Sequence, residues 1–210
     1  DMLEHEVNYQ VKCETKINRK EYDMSPSFAD KKGYQVYFSS SREESFGSGR
    51  DPITGEKYMD IFVAEFDKNG DPTGVRSIDE DGIVNTSENE GTVCFDKKFK
   101  TMYFTRCPNK EKMQLGCDIW VVDIAEGEFT NVRKMNLKKD ETVSVGHPCL
   151  TPDGKMLIFA SDMKSSGGDK SFGGRDLWYI TYDKKAKAWS SEPKNMGPAY
   201  NTSGNELFPS

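Results

Sequence analysis

Asp60-Ile61-Phe62-Val63, Asp118-Ile119-Trp120-Val121 and Asp176-Leu177-Trp178-Tyr179 are three copies of one pattern, a carboxylate followed by aliphatic and aromatic residues. They begin at 60, 118 and 176, so the spacing is 118 − 60 = 58 and 176 − 118 = 58. A fixed period of this kind marks a repeat architecture in which each copy is one supersecondary unit. Upstream of each copy lies a second run, Val36-Tyr37-Phe38-Ser39, Met102-Tyr103-Phe104-Thr105 and Leu157-Ile158-Phe159-Ala160. Before that comes a third, Ser25-Pro26-Ser27-Phe28, Thr92-Val93-Cys94-Phe95 and His147-Pro148-Cys149-Leu150.

These runs are short, rich in β-branched and aromatic residues and bounded by turn chemistry, which is the signature of strands rather than helices. The first copy reads as a strand from Pro26 to Phe28, the turn Asp30-Lys31-Lys32-Gly33, a strand from Tyr34 to Ser39 and a long loop. A strand from Asp60 to Phe66, the turn Asp67-Lys68-Asn69-Gly70-Asp71 and a last strand near Gly74 to Ile78 complete it. Four antiparallel strands per copy predict an all-β chain: a β-propeller of four-stranded blades, here an incomplete ring of about three and a half. Blades are expected at 25–91, 92–146 and 147–206, with the end of a preceding blade over 1–24 and the start of a further one at 207–210. All belong to one propeller domain, and a closed ring of six such blades would need about 6 × 58 ≈ 350 residues.

The connectors repeat as well. Asn85-Thr86-Ser87-Glu88-Asn89-Glu90 and Asn201-Thr202-Ser203-Gly204-Asn205-Glu206 lie 201 − 85 = 116 residues apart, twice the period, while the connector at 139–146 lacks the pattern. Composition narrows the partners. The chain has 210 residues, 35% hydrophobic and 30% charged, and a net charge of −6 with acids and bases interspersed. That is a globular profile without the basic footprint that phosphate backbones require, so nucleic acid is not an expected partner. No run approaches the roughly 18 apolar residues of a membrane span, and residues 1–6 show neither a basic nor an apolar leader region, so any leader is expected to have been removed.

The five cysteines are Cys13, Cys94, Cys107, Cys117 and Cys149. Cys107 and Cys117 bracket a polar loop between two strands whose ends would bring them close, and they are read as a loop-closing disulfide, implying an oxidising compartment, with a pair of free thiols as the alternative. Cys94 and Cys149 occupy equivalent inner-strand positions and read as free thiols packed as small apolar groups.

The run Ser25-Pro26-Ser27-Phe28 with its following Tyr-Phe-Ser strand, Thr105-Arg106-Cys107 with Cys117-Asp118-Ile119-Trp120, Gly173-Gly174-Arg175-Asp176-Leu177-Trp178, and Asn201-Thr202-Ser203-Gly204-Asn205-Glu206-Leu207-Phe208-Pro209 together resemble the TolB-like, WD-type propeller repeats of Bacteroidetes OmpA-family outer-membrane-associated proteins. The resemblance covers nearly the whole chain. It implies a periplasmic protein associated with the outer membrane, with envelope or type IX secretion proteins as partners and peptidoglycan reached through a domain not contained in this chain.

Strand order puts the loop between the second and third strands of each blade on the same side as the connectors. Long loops on a rigid scaffold are where binding residues concentrate. The candidate partner-binding residues there are Arg42, Phe46, Arg50, Tyr58, Arg106, Lys110, Lys112, Phe172 and Arg175, a mixture of charge and aromatics suited to protein or peptide contacts, with glycan as another possible ligand class. The repeated Asp60, Asp118 and Asp176 are read as structural positions that accept hydrogen bonds from loop amides. No catalytic, metal or cofactor residue is expected. The chain lacks a Gly-x-Ser-x-Gly elbow, a His-Glu-x-x-His motif and a P-loop, and its only histidines are His5 and His147. The expectation is therefore a non-catalytic binding or scaffolding propeller, the alternative being a propeller that gates substrate access in a larger hydrolase such as a peptidase.

Overall fold

The computed structural model describes residues 11–52, 54–108, 115–164 and 171–210. Among them there is no helix, and hence none long and apolar enough to cross a membrane. The first sheet runs β1 (Asp23–Phe28), β2 (Gln35–Ser40), β3 (Asp60–Phe66), β4 (Pro72–Ser77), and the second β5 (Asn89–Phe95), β6 (Thr101–Cys107), β7 (Asp118–Ala125), β8 (Glu128–Lys134). The third runs β9 (Val145–Leu150), β10 (Met156–Ser161), β11 (Asp176–Asp183), with its fourth strand split into β12 (Ala188–Trp189) and β13 (Lys194–Asn195), both paired to β11. Every pairing of named strands is antiparallel and, apart from β11 with β13, joins neighbours in sequence. The split falls where Pro193 removes a backbone donor.

The first strand of each sheet starts earlier than its sequence suggests, because it carries a bulge instead of beginning after one. Ser25, Thr92 and His147 sit at φ 54°, 48° and 55°, a left-handed conformation uncommon for residues with a side chain, and each lies where the register with the second strand slips. The amide this frees is claimed by the sheet before: Thr92 N donates to Ser39 Oγ (3.0 Å) and His147 N to Thr105 Oγ1 (2.9 Å). Gly91 and Gly146 stand just before these residues because a Cβ would come within 2.6 Å of Ser39 Oγ and 2.9 Å of Thr105 Cγ2. Phe208 has the same conformation (φ 52°), but its counterpart in the sheet before is Ala160, which has no hydroxyl; its amide faces His147 Nδ1 at 3.4 Å instead.

Period-two alternation assigns each strand residue to one of two neighbouring sheets. Met102, Phe104 and Val122 face the first sheet and join Ile61, Val84 and Val93 in one buried cluster. Tyr103, Ile119 and Val121 face the other way and meet Leu157, Phe159, Trp178 and Ile180 of the third sheet in another. A third cluster, Phe38, Phe62 and Ala64, is covered in part by Ile17. The core is thus a series of sandwiches between successive sheets, each side contributing about 2–3 kcal/mol per large apolar residue removed from water. Phe95 of the second sheet packs edge-on to Tyr37 of the first at 5.3 Å, whereas Phe28, at the same position in the first sheet, is 65% exposed.

Candidate functional site

The loop between β2 and β3, its counterparts in the other two sheets and the connectors between sheets share one side of the molecule. Glycines weld them together. A Cβ on Gly116 would fall 2.0 Å from the Val143 carbonyl oxygen, and one on Gly173 2.2 Å from that of Gly204, so the backbone at each of these glycines lies directly against the connector that follows its own sheet. The 41–59 loop closes on itself through the Arg50–Lys57 bridge, the exposed Arg50–Glu43 ion pair (2.8 Å) and Lys57 Nζ, which donates to the Ser45 and Gly47 carbonyls.

The repeated connector works as a clamp. Asn85 accepts from Ile61 N (2.9 Å) and donates to Ile61 O (2.9 Å), and Asn201 does the same with Leu177 (2.7 and 3.1 Å), each side chain pairing with the third strand as a neighbouring backbone would. Asn89 and Asn205 accept from Met59 N and Arg175 N, one residue before the repeated aspartate. In the second sheet, whose connector lacks this pattern, Lys138 takes over. Its ammonium, with the side chain 3% exposed, shares its three N–H donors among the carbonyls of Gly116, Cys117, Glu141 and Val143, of which Val143 O is nearest at 2.8 Å, and pairs with Asp118 at 3.1 Å.

The aspartates serve the same framework. Asp60 accepts from the Phe46 amide, and Asp176 accepts from the amides of Phe172 and Gly173 and from Asn195 Nδ2. Asp118 differs, since Lys134 (3.5 Å) and Lys138 supply cations in place of amides. Asp60 is fully buried and its Oδ1 has no partner among the described residues. Burial pushes its carboxyl up to about 7 against the Phe46 hydrogen bond, with Glu90 and Asp79 adding to the rise and Lys57 opposing it.

Three of the expected partner-binding residues are not presented to solvent. Arg42 (3% exposed) pairs with Asp23 at 2.8 Å and lies over Phe38 and Phe62, its Cζ 5.0 and 4.9 Å from the ring centres. Arg106 (7%) pairs with Glu90 at 2.7 Å, donates to the Val84 carbonyl and covers Phe104 and Trp120 at 5.4 and 4.5 Å. Both guanidiniums are internal cations held by a carboxylate and an aromatic pair. Tyr58 is buried beneath its loop. Phe46 is 40% exposed, Phe172 and Arg175 are half-buried and Arg50 is exposed at its tip; Lys110 and Lys112 lie outside the described residues. Cys107 and Cys117 are disulfide-bonded, and Cys94 and Cys149 are free thiols that burial pushes up.

Two clefts open on this side at equivalent places. One, of about 420 Å³, is floored by Phe62 and Arg42 and walled by Phe46, Arg76 and Asp79. The other, of about 340 Å³, is floored by Trp120 and Arg106 and walled by Leu115, Lys134 and Glu141. Phe62 and Trp120 are one period apart, and so are Arg76 on β4 and Lys134 on β8, so the floor and one wall belong to the repeat while Phe46, Asp79, Leu115 and Glu141 come from loops and connectors.

No family model and no curated protein matches the chain. Solved structures do. A puromycin-hydrolyzing peptidase of Mycobacterium tuberculosis superposes with a TM-score of 0.52 at 14% identity, over 85% of this chain and 24% of the peptidase, so the chain spans about a quarter of that protein. A thermostable family-43 glycoside hydrolase (17% identity, TM-score 0.39, 86% of this chain and 60% of that one) and a protein assigned as a 6-phosphogluconolactonase from Bacteroides uniformis (11%, 0.37, 85% and 71%) match less closely. The chain is all-β, with sheets of four antiparallel strands and a propeller-like fold. The expectation that it is not an enzyme is overturned: the peptidase that shares this fold at a TM-score of 0.52 is an enzyme, and at 14% identity the likeness shows the fold alone. The motifs whose absence argued against catalysis belong to other folds, so their absence does not bear on this one.

Proposed function

We propose that this chain is a propeller module of a larger extracytoplasmic protein, and that the side carrying the long loops and connectors is where it engages a protein or peptide partner. The observation that supports this most is that the connectors and the described ends of the loops are fixed. Glycine contacts, the Asn85 and Asn201 clamps, Lys138 and the Cys107–Cys117 disulfide hold these residues against the sheets, and a preorganised surface loses little entropy on binding. One cleft presents Phe46 and the other Trp120 among charged side chains, a composition suited to peptide side chains. The disulfide accords with a periplasmic setting, and the TolB-like resemblance with an outer-membrane-associated envelope or secretion assembly.

A second reading, in which the propeller governs access to a hydrolase domain elsewhere on the polypeptide, is supported by the likeness to a portion of a peptidase. One experiment separates the two. The full-length protein, as wild type and as a Phe46→Ala/Arg50→Ala/Phe172→Ala variant, is used to capture partners from solubilised envelope and is assayed with a panel of peptide substrates. Loss of defined envelope partners in the variant supports the binding reading. Peptide hydrolysis whose size selectivity changes in the variant, with no partner captured, replaces it by the gating reading.

A further inference from the structure

The sheets share a rule that links an acid to an arginine. Two residues before the left-handed residue of the first strand stand Asp23 in the first sheet and Glu90 in the second, each joined to a buried arginine at or just beyond the end of the second strand: Arg42 at 2.8 Å and Arg106 at 2.7 Å. In the third sheet the acid position is Val145, and the two arginine positions are Ser161 and Met163. Acid and base are present together or absent together, as the cost of burying either one unpaired requires.

Glu206 repeats the acid half of this rule. It stands two residues before Phe208, whose φ is 52°. Its amide donates to the Arg175 carbonyl at 2.7 Å as that of Glu90 donates to Met59, and its Oε1 accepts from Thr202 Oγ1 as Glu90 Oε1 accepts from Thr86 Oγ1. The arginine half is missing: Glu206 Oε2 is enclosed and has no partner among the described residues. Leu207 and Phe208 are 39% and 47% exposed beside it, Phe208 stacked on His147 at 4.1 Å.

Resting on the propeller reading above, we infer that the edge formed by Glu206, Leu207 and Phe208 is the seat of a further four-stranded blade supplied by the same polypeptide, and that the second strand of this blade brings an arginine onto Glu206. The two complete examples set its distance from the acid at 106 − 90 = 16 to 42 − 23 = 19 residues. The added blade would cover Phe208 as the neighbouring sheets cover Thr92 and His147, both half-buried.

The test uses the full-length polypeptide. Its sequence beyond Ser210 is expected to show an arginine 16 to 19 residues after Glu206 within strand-forming residues. Glu206→Gln and Glu90→Gln are each expected to lower the Tm of the propeller transition by about 6 °C or more. The arginine→Gln exchange should add little to Glu206→Gln, and arginine→Lys should give an intermediate drop if the Gln variants do not fold. A following blade without that arginine, or a Glu206→Gln variant as stable as wild type while Glu90→Gln is not, overturns the acid–arginine inference alone. A polypeptide with no blade beyond Ser210 overturns it together with the larger-propeller reading.

Discussion

Asp60 shows how a residue can be plain in the sequence while its state is not. Its recurrence one period before Asp118 marks it as a framework position, and it does cap the 41–59 loop through the Phe46 amide. The three equivalent carboxylates nevertheless meet different chemistry: lysines at Asp118, amides at Asp176, and at Asp60 a single amide with one bare oxygen. Its pKa, raised by burial to about 7, lies above the roughly 3.9 of an unfolded chain. The folded state therefore holds the extra proton between these values. The associated stability is fully present below about pH 4 and is lost as pH rises through about 7. His147, which burial pushes down to about 4, acts with the opposite sign over part of the same range, so the wild-type profile alone is not diagnostic. The Tm difference between wild type and Asp60→Asn should isolate Asp60, with the wild type losing ground between pH 5 and pH 8. A difference independent of pH would show that Asp60 is ionised throughout.

At the scale of elements, the strands were legible because alternation and turn residues are local signals. The limits of β3, Asp60–Phe66, match the sequence reading residue for residue. The first strands were misplaced because a bulge looks locally like a strand beginning, and the burial of Arg42 and Arg106 was missed because their acids lie 19 and 16 residues upstream. Aligning the repeats on the left-handed residue would have exposed that signal, since the third copy loses acid and base together. Lys138 was missed because a lysine in a polar connector reads as solvated; only the fold brings four carbonyls around it. Its hold on Cys117 O couples the connector to the disulfide loop. Replacing both Cys107 and Cys117 with serine should lower stability by about 2–3 kcal/mol through the unfolded state, a Tm shift of about 5–10 °C, with the far-UV spectrum unchanged. Equal melting temperatures would show that the loop is held by Lys138 and Gly116 alone.

For the whole molecule, repetition does two jobs. The inward-facing residues of each sheet, such as Met102, Phe104 and Val122 or Leu157, Phe159 and Ile180, are fixed by the neighbouring sheets. The loops escape that constraint, and they differ from sheet to sheet in length and chemistry while resting on Asn clamps in the first and third sheets and on Lys138 in the second. This division places variable chemistry on one side and tight turns such as 67–71 and 151–155 on the other. Hydrogen exchange on the full-length protein, with and without a captured partner, tests the proposed binding side. Protection gained at 41–52, 78–88, 135–144 and 171–175, with the opposite turns at 30–33, 67–71, 96–100 and 151–155 unchanged, is the predicted result. Protection confined to the opposite turns or to exposed strand faces would contradict it.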